Sequence, residues 1–366
     1  MAKVTKQQLR DFALSHGLEL FGVANIERFK NAPPRMHPAS IFPECRSVIV
    51  IGKSILRGGW RGIEEGTYWP SYTHFDYHGL LNTYFLQLGV YELACFIEDH
   101  GYEADPYYPG NPEGQPPSRP LREGGVGPDV QLSIRIAGVA AGVGEIGWSK
   151  TFLTKQFGPR QRLAAIFTDL ELEPDPLIEP GTLCKMDMNC VSGCPGAIPH
   201  VKEGKFVEIQ IEDKTYRWGD VDMGRCTLIY HGGDPRVSPF IHRSLPGYEF
   251  DVTKQEITED AAYKFCWPMS LGNWRQTEEA TEGFIIEGHA MLCKWGGAGS
   301  YGVEGSRGCM RSCMTYMEKH DLCESKYHNG DFIRRPRWLL PAKVEKDSRD
   351  KVEAQVKAEK EAGLRK

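Results

Sequence analysis

Cys184-Lys185-Met186-Asp187-Met188-Asn189-Cys190-Val191-Ser192-Gly193-Cys194-Pro195 is the stretch around which the rest of the chain is organised. It carries the spacing C-x2-C-x2-C-x3-C-P with Asp187 in the place of the second cysteine. Thiolates this close together let one loop wrap three corners of a cuboidal iron-sulfur cluster. The fourth cysteine, stiffened by the proline after it, points to a neighbouring cluster. Crossed ligation of this kind needs a second cysteine set downstream, and one exists. Cys226 ends Asp222-Met-Gly-Arg-Cys226, Cys293 opens Cys-Lys-Trp-Gly-Gly, and Cys309-Met-Arg-Ser-Cys313 repeats the spacing of Cys190 and Cys194. A regular second run would have another cysteine at Ser306, so each half lacks one and Cys293 or Cys226 is free to make up the count. Eight of the eleven cysteines fall between Leu183 and Cys323 once Cys266 is set apart. A zinc site would call for two C-x2-C pairs, which the chain does not have.

At 366 residues the chain exceeds the usual single domain, so two domains or one large domain with an insertion are expected. The boundaries follow from the motifs: 1–175 ahead of the cysteines, 176–335 around them with an insertion at 227–292, and a charged tail at 336–366. A net charge of -5, from 44 Lys+Arg against 49 Asp+Glu, gives no basic excess for counterion-driven binding to phosphate backbones. Nucleic acid is therefore disfavoured as a partner. No run of 18 apolar residues occurs, and Met1-Ala-Lys-Val-Thr-Lys resembles neither a secretory nor a twin-arginine leader, so a cytoplasmic chain without a membrane span is expected. Cysteines in such a chain serve metal sites rather than disulfides.

Ahead of the cysteines the order is mixed helix and strand, an α/β or α+β pattern. Residues 5–16 place apolar groups at helical spacing behind a Thr5 cap and stop at Gly17. Leu20 to Val23 is a short strand, and the continuous apolar run Ser47 to Gly52 is a strand buried on both faces. Trp60 to His78 reads as an aromatic loop, the surface for a flat ligand or the wall of a core. A long helix over 80–100 has apolar positions at Leu81, Tyr84, Phe85, Leu88 and Tyr91, with Cys95 as a buried thiol, and residues 104–128 are loop-like. Ile134 to Trp148 is a small-residue helix running into a glycine turn. Gly142, Gly144 and Gly147 stand near the spacing of a dinucleotide fingerprint, but no strand leads into the first glycine and the helix precedes the turn, so that reading is rejected. Ala164 to Leu170 and Phe206 to Ile211 are further strands.

Taken together, several of these segments resemble the cobalamin-dependent reductases that comprise reductive dehalogenases and epoxyqueuosine reductase. The residues that carry the resemblance are Gly17 to Val23, Ser47 to Val50, Phe75-Asp76-Tyr77-His78, Ala137 to Gly147, Phe157-Gly-Pro-Arg160-Gln-Arg-Leu163, Phe167-Thr-Asp-Leu170, the Cys184 to Pro195 run, and Asp222 to Cys226. The resemblance implies a nitroreductase-like domain that holds a base-off corrinoid, followed by a ferredoxin-like domain with two iron-sulfur clusters. It assigns Cys184, Cys190 and Cys313 to one cluster, with Asp187 or an open iron corner completing it in a three-iron or aspartate-ligated form. Cys194, Cys226 and Cys309 go to the other, completed, by count, with Cys293.

A corrin is a wide apolar disc, so glycines and aromatics suit its pocket. The expected contacts are Tyr72, Phe75, Asp76, Gly142, Gly144, Gly147 and Arg160. Reductive cleavage at cobalt needs a proton donor, for which Tyr77, His78 and Asp129 are candidates in that order, and Arg135 would stabilise a leaving anion. The function implied is a cytosolic reductase that cleaves a carbon-halogen or carbon-heteroatom bond of a small molecule, fed by a low-potential donor such as ferredoxin or flavodoxin. Epoxyqueuosine reduction in tRNA, or an iron-sulfur electron carrier without corrinoid, are the alternatives.

Overall fold

The structure, a computed structural model, describes residues 4–65, 71–76, 80–107, 118–230, 253, 254, 256–262, 308–328, 350, 354 and 357–363. Cys266, Cys293, Tyr77, His78, the side chain of Asp76, and most of the expected insertion and tail lie outside the described residues.

The chain runs α1 (Lys6–Ser15), β1 (Leu20–Asn25), β2 (Ser47–Ser54), α2 (Arg57–Glu65), α3 (Leu86–Glu98) and β3 (Ala104–Tyr107). It continues with α4 (Ile134–Ala140), β4 (Glu145–Ile146), β5 (Phe152–Leu153) and β6 (Gln161–Thr168). The cysteine half contributes α5 (Asn189–Ser192), β7 (Phe206–Ile211), β8 (Lys214–Gly219), α6 (Met223–Tyr230) and α7 (Cys309–Lys319).

A four-stranded sheet in the order β1-β2-β6-β3 carries the core, and all its pairs are antiparallel. Side chains alternate across it with the period of two that a pleated strand imposes. Ile49 and Ile51 of β2, with Ala164 and Ile166 of β6, pack against Leu9 and Ala13 of α1 and Leu86, Val90, Leu93 and Ile97 of α3. Val48, Val50, Ala165 and Phe167 face the other way, onto Ala137, Val139 and Ala140 of α4. The same layer takes in Ile211, Tyr216 and Trp218 of the β7–β8 hairpin. Antiparallel sheets commonly leave one face wet. Here both are covered, which is why β2 reads as an unbroken apolar run. The hairpin lies beyond residue 175, so one hydrophobic layer joins the expected first domain to the chain that follows the first cysteine run.

Local signals behave as their chemistry requires. Thr5 caps α1 in a capping box with Gln8, and Gly17 follows at a φ of 73°. Three features differ from expectation. Arg57–Glu65 is a helix where the glycines at 58, 59 and 62 suggest a loop; burial of Trp60 and Ile63 outweighs their weak propensity. The expected loop after residue 104 begins with an edge strand, β3, whose Pro106 is tolerated because an edge needs fewer donors. The long helix presents the other of its two apolar stripes to the sheet. Leu86, Val90, Leu93 and Ile97 are buried, and of the expected positions Leu81 is buried beside Trp60, whereas Tyr84, Phe85, Leu88 and Tyr91 are exposed, and Cys95 lies with them on the exposed side. Both stripes satisfy helical spacing, and only the one without bulky rings fits closely on Ile49 and Ile166.

Candidate functional site

The glycine turn after α4 leads directly into the cysteine region. In β4, Glu145 is 5% exposed, and its carboxylate accepts N–H groups from Gly181 at 2.7 Å, Leu183 at 2.8 Å and Cys184 at 3.4 Å. One buried acid thus shapes the entry to the first cysteine run. Burial pushes its pKa up, and the three N–H groups oppose that shift. Three residues on, the Trp148 N–H donates to Cys184 Sγ at 3.3 Å and its indole N–H to the Pro199 carbonyl at 2.8 Å. The Trp148 carbonyl accepts from Gly219 N at 2.9 Å, which ties β8 to the same point. At Gly144 a side chain would meet the Leu153 carbonyl at 2.1 Å, so a glycine is required there.

The first run winds tightly. Met186 and Met188 adopt left-handed backbone with φ of 50° and 59°, and Lys150, two residues after Trp148, does so at 64°. Non-glycine residues of that kind gather where a loop is held against its preference. α5 then presents Cys190 inward. Ser312 Oγ of α7 donates to the Asn189 carbonyl at 3.2 Å, which fixes α5 against α7. Asp222 accepts from Arg225 N at 2.9 Å at the start of α6, which carries Cys226. Gly224 lets that helix approach the Ile257 carbonyl so closely that an added Cβ would lie 1.9 Å from it.

α7 supplies the last two cysteines, one turn apart, and its other side is anchored on α2. Arg57 makes a two-pronged ion pair with Glu318 at 3.0 and 2.9 Å. Arg311 holds the buried Glu64 at 2.7 to 3.0 Å. Met314 packs between them with Trp60, Ile63 and Tyr72. Bidentate pairs of this kind fix orientation as well as charge.

Six of the expected ligands are therefore drawn from three separate stretches of chain into one apolar region with Trp148, Ala197, Ile198, Val221 and Leu228. The thiols feel one another across the whole set: Cys190 is raised by Cys309 and Cys184, Cys313 by Cys190, Cys309 and Cys184, Cys226 by Cys309 and Cys194, and Cys309 by Cys194. Burial is the larger cause in each of those four thiols, and it takes Cys190 and Cys226 up to about 12. Hydroxyls oppose it locally, Ser149 at Cys313 and Thr151 at Cys309. Thiols this reluctant to ionise become thiolates when a soft cation takes the proton's place. Among the described residues no three His, Cys, Asp or Glu side chains converge on a single ion. The donor chemistry suits a cluster, whose several irons spread the thiolates apart.

Asp187 lies at the exposed edge of this region, and its carboxylate accepts from the side chain and the N–H of Asn189. Arg135 lies near Cys226: its Nη1 donates to the Lys150 carbonyl at 3.4 Å and its charge favours the Cys226 thiolate. Asp129 lies away from the cysteines, holding Ser118 by the backbone N–H at 2.9 and 3.0 Å and by the hydroxyl at 3.0 Å. Those bonds hold its carboxyl below the ordinary range.

The expected corrinoid contacts divide. Gly142, Gly144 and Gly147 are packed by Pro176, Leu153 and Phe152, and Tyr72 is 1% exposed in the α2–α7 core. Phe75 and Arg160 instead share the wall of a cavity of about 560 Å³ at the ends of β2 and β6, together with Phe157, Arg57 and Tyr327. Nothing in the sequence marks Ser149, Thr151, Arg57, Glu318 or Tyr327 as parts of a site. The twin acid-base pairs across α2 and α7 could have been guessed only once those helices were known to touch.

No protein-family model matches the chain. By sequence it is 31% identical over 192 residues to the tetrachloroethene reductive dehalogenase of Dehalobacter restrictus, which is 48% of this chain and 31% of that protein. Over that stretch the chain is similar to a reductive dehalogenase. It spans about a third of the length of the dehalogenase it matches. Among solved structures, epoxyqueuosine reductase from Bacillus subtilis aligns with 87% of this chain and 82% of its own, at 16% identity and a TM-score of 0.43. A reductive dehalogenase aligns with 78% of this chain and 35% of its own, at 16% identity and a TM-score of 0.43. The curated relative falls in the family that the sequence motifs resemble.

Proposed function

We propose that the chain is an iron-sulfur reductase that works with cobalamin to cleave a carbon-halogen or carbon-heteroatom bond of a small organic molecule. The observation that carries the reading is the collection of six cysteines from three stretches of chain into apolar surroundings, where burial raises the pKa of five of them. The relationship to a tetrachloroethene reductive dehalogenase over half the chain supports the reaction class.

In this reading Cys184, Cys190 and Cys313 hold one cluster and Cys194, Cys226 and Cys309 the other, with Cys293 completing the second. Asp187 stands beside the open corner of the first. Hard carboxylate holds iron less firmly than thiolate, so the first cluster loses one iron more readily than the second. Trp148 and Ser149 donate toward cysteine sulfur and restrain the charge on the reduced cluster. Bound cobalamin would supply the two-electron cobalt chemistry at carbon. Around it this chain contributes the aromatic stretch that ends at His78, with Phe75 half exposed and Tyr77 as the proton donor. Electrons come from a low-potential carrier.

Anaerobic reconstitution with iron, sulfide and hydroxocobalamin tests the reading. Iron counting and EPR should find two clusters, Cys190→Ser and Cys226→Ser should each remove one of them, and a corrinoid absorption band should survive desalting. If the two substitutions abolish the same signal, the ligand grouping is wrong. If both clusters form but no cobalamin is retained, the chain is an electron carrier and the reductase reading fails.

A further inference from the structure

Among the described residues, the cavity at the ends of β2 and β6 contains a cation without a counter-ion. Arg160 is 3% exposed. Its Nη1 donates to the Ile55 carbonyl at 2.7 Å and its Nη2 to the Tyr327 hydroxyl at 2.7 Å, while its Nε is buried without a partner. The guanidinium also lies 5.3 Å from the Tyr327 ring centroid. Arg57, on the same wall, is in a different state, because both prongs of its guanidinium are taken by Glu318. The acid on the lining itself, Glu19, is exposed and accepts from Ser54 N at 2.7 Å. Among the described residues, then, the buried end of the cavity holds two guanidiniums and one carboxylate, leaving a single positive charge.

A guanidinium has five N–H groups in a rigid fork. Two of those on Arg160 are used, on the carbonyl and the phenol. Its Nε–H is unpartnered and shares one edge of the guanidinium with a hydrogen of Nη2, the edge that takes the oxygens of a carboxylate. The phenol of Tyr327, accepting from Arg160, keeps its own hydrogen for an incoming oxygen. Around this polar end the lining is aromatic and aliphatic: Phe75, Phe157, the Tyr327 ring and Ile55. A volume of about 560 Å³ falls within the roughly 300–1,000 Å³ of small-molecule sites.

We propose that this cavity binds a planar aromatic compound bearing one negative charge, with its carboxylate on the free edge of Arg160 and its ring among Phe75, Phe157 and Tyr327. A dianion such as a phosphate monoester is disfavoured, because Arg57 is already neutralised and Glu19 stands at the exposed side. The claim concerns binding and involves no electron transfer, and the iron content of the same preparation reports on the reductase reading separately.

Isothermal titration of the full-length protein with benzoate, benzamide and phenylphosphonate at pH 8 decides it. Benzoate should bind at least about tenfold more tightly than benzamide, the return of one charge-assisted hydrogen-bonded contact. Phenylphosphonate should bind no better than benzoate, and Arg160→Gln should erase the preference for charge. If that variant does not fold, the charged and neutral compounds on the native protein still decide. Equal binding of benzoate and benzamide, failure of benzoate to bind, or tighter binding of phenylphosphonate would each overturn the proposal.

Discussion

Between their polar ends, strands β2 and β6 bury side chains that need nothing further. Ile49, Ile51, Ala164 and Phe167 are apolar, and the neighbouring strands supply their backbone partners. Helices α5, α6 and α7 bury thiols instead, and the same desolvation that favours the sheet works against Cys190, Cys226 and Cys313 as ligands until a cation arrives. The two regions share Trp148, Trp218 and the β4–β5 turn but draw their stability from different sources. The sheet is held by exclusion of water. The cysteine half is held by ion pairs, by Glu145 and, in the proposed function, by iron.

The largest test removes bulk from the sheet. Phe167 is fully buried against α4 and 5.7 Å from the Tyr107 ring. Phe167→Ala should cost about 3–5 kcal/mol in urea unfolding, the usual loss for an aromatic side chain deleted from a core. Iron bound per folded chain should not change. Iron that falls in step with stability would show that the two regions are one cooperative unit.

Gly144→Ala acts at the joint. Its Cβ would meet the Leu153 carbonyl at 2.1 Å and the Phe152 ring at 2.7 Å, so β4 and β5 must shift. Overpacking of this sort costs about 1–3 kcal/mol. The greater consequence should fall on the cysteine side, because β4 carries the carboxylate that organises residues 181 to 184. Hydrogen exchange should stay slow in β2 and β6 while iron uptake by the first cluster falls. Faster exchange in the sheet with full iron content would invert the comparison.

What the sequence showed of each region follows from how local its causes are. Thr5 with Gln8, Gly17 and the run of β2 are decided within a few residues, and each is where the pattern puts it. The cysteine spacing is equally local, which is why six of the cysteines it singles out are the ones drawn into the same apolar surroundings. Helix α2 and the buried stripe of α3 are decided by partners far along the chain. Trp60 and Ile63 become core only because Met314 arrives some 250 residues later. Either stripe of α3 would satisfy a helix, and the sheet selects one. The cavity is the extreme case, since Arg160, Arg57 and Tyr327 come from three stretches that no spacing rule connects.

The smallest expected effect bears on proton supply. Asp129 accepts the Ser118 backbone N–H and hydroxyl, and those bonds hold its carboxyl below the ordinary 3.8. A depressed native pKa means that the contact is fully present above 3.8 and is lost as pH falls through the lowered value. Because the carboxylate is at the surface, the loss is local: the loop at Ser118 loosens in acid while the sheet does not. The Asp129 carboxyl carbon and the Ser118 amide, followed by NMR, should titrate together with a midpoint below 3.8, and Asp129→Asn should abolish the amide's response. A midpoint above 3.8 would mean that the Ser118 bonds do not govern the group. At neutral pH Asp129 is therefore a carboxylate that accepts hydrogen bonds, a poor source of the proton that reductive cleavage consumes. That leaves Tyr77 and His78 as the proposed donors. Replacing Asp129 should then leave turnover nearly unchanged, whereas a loss comparable to that of Tyr77→Phe would return the acid role to it.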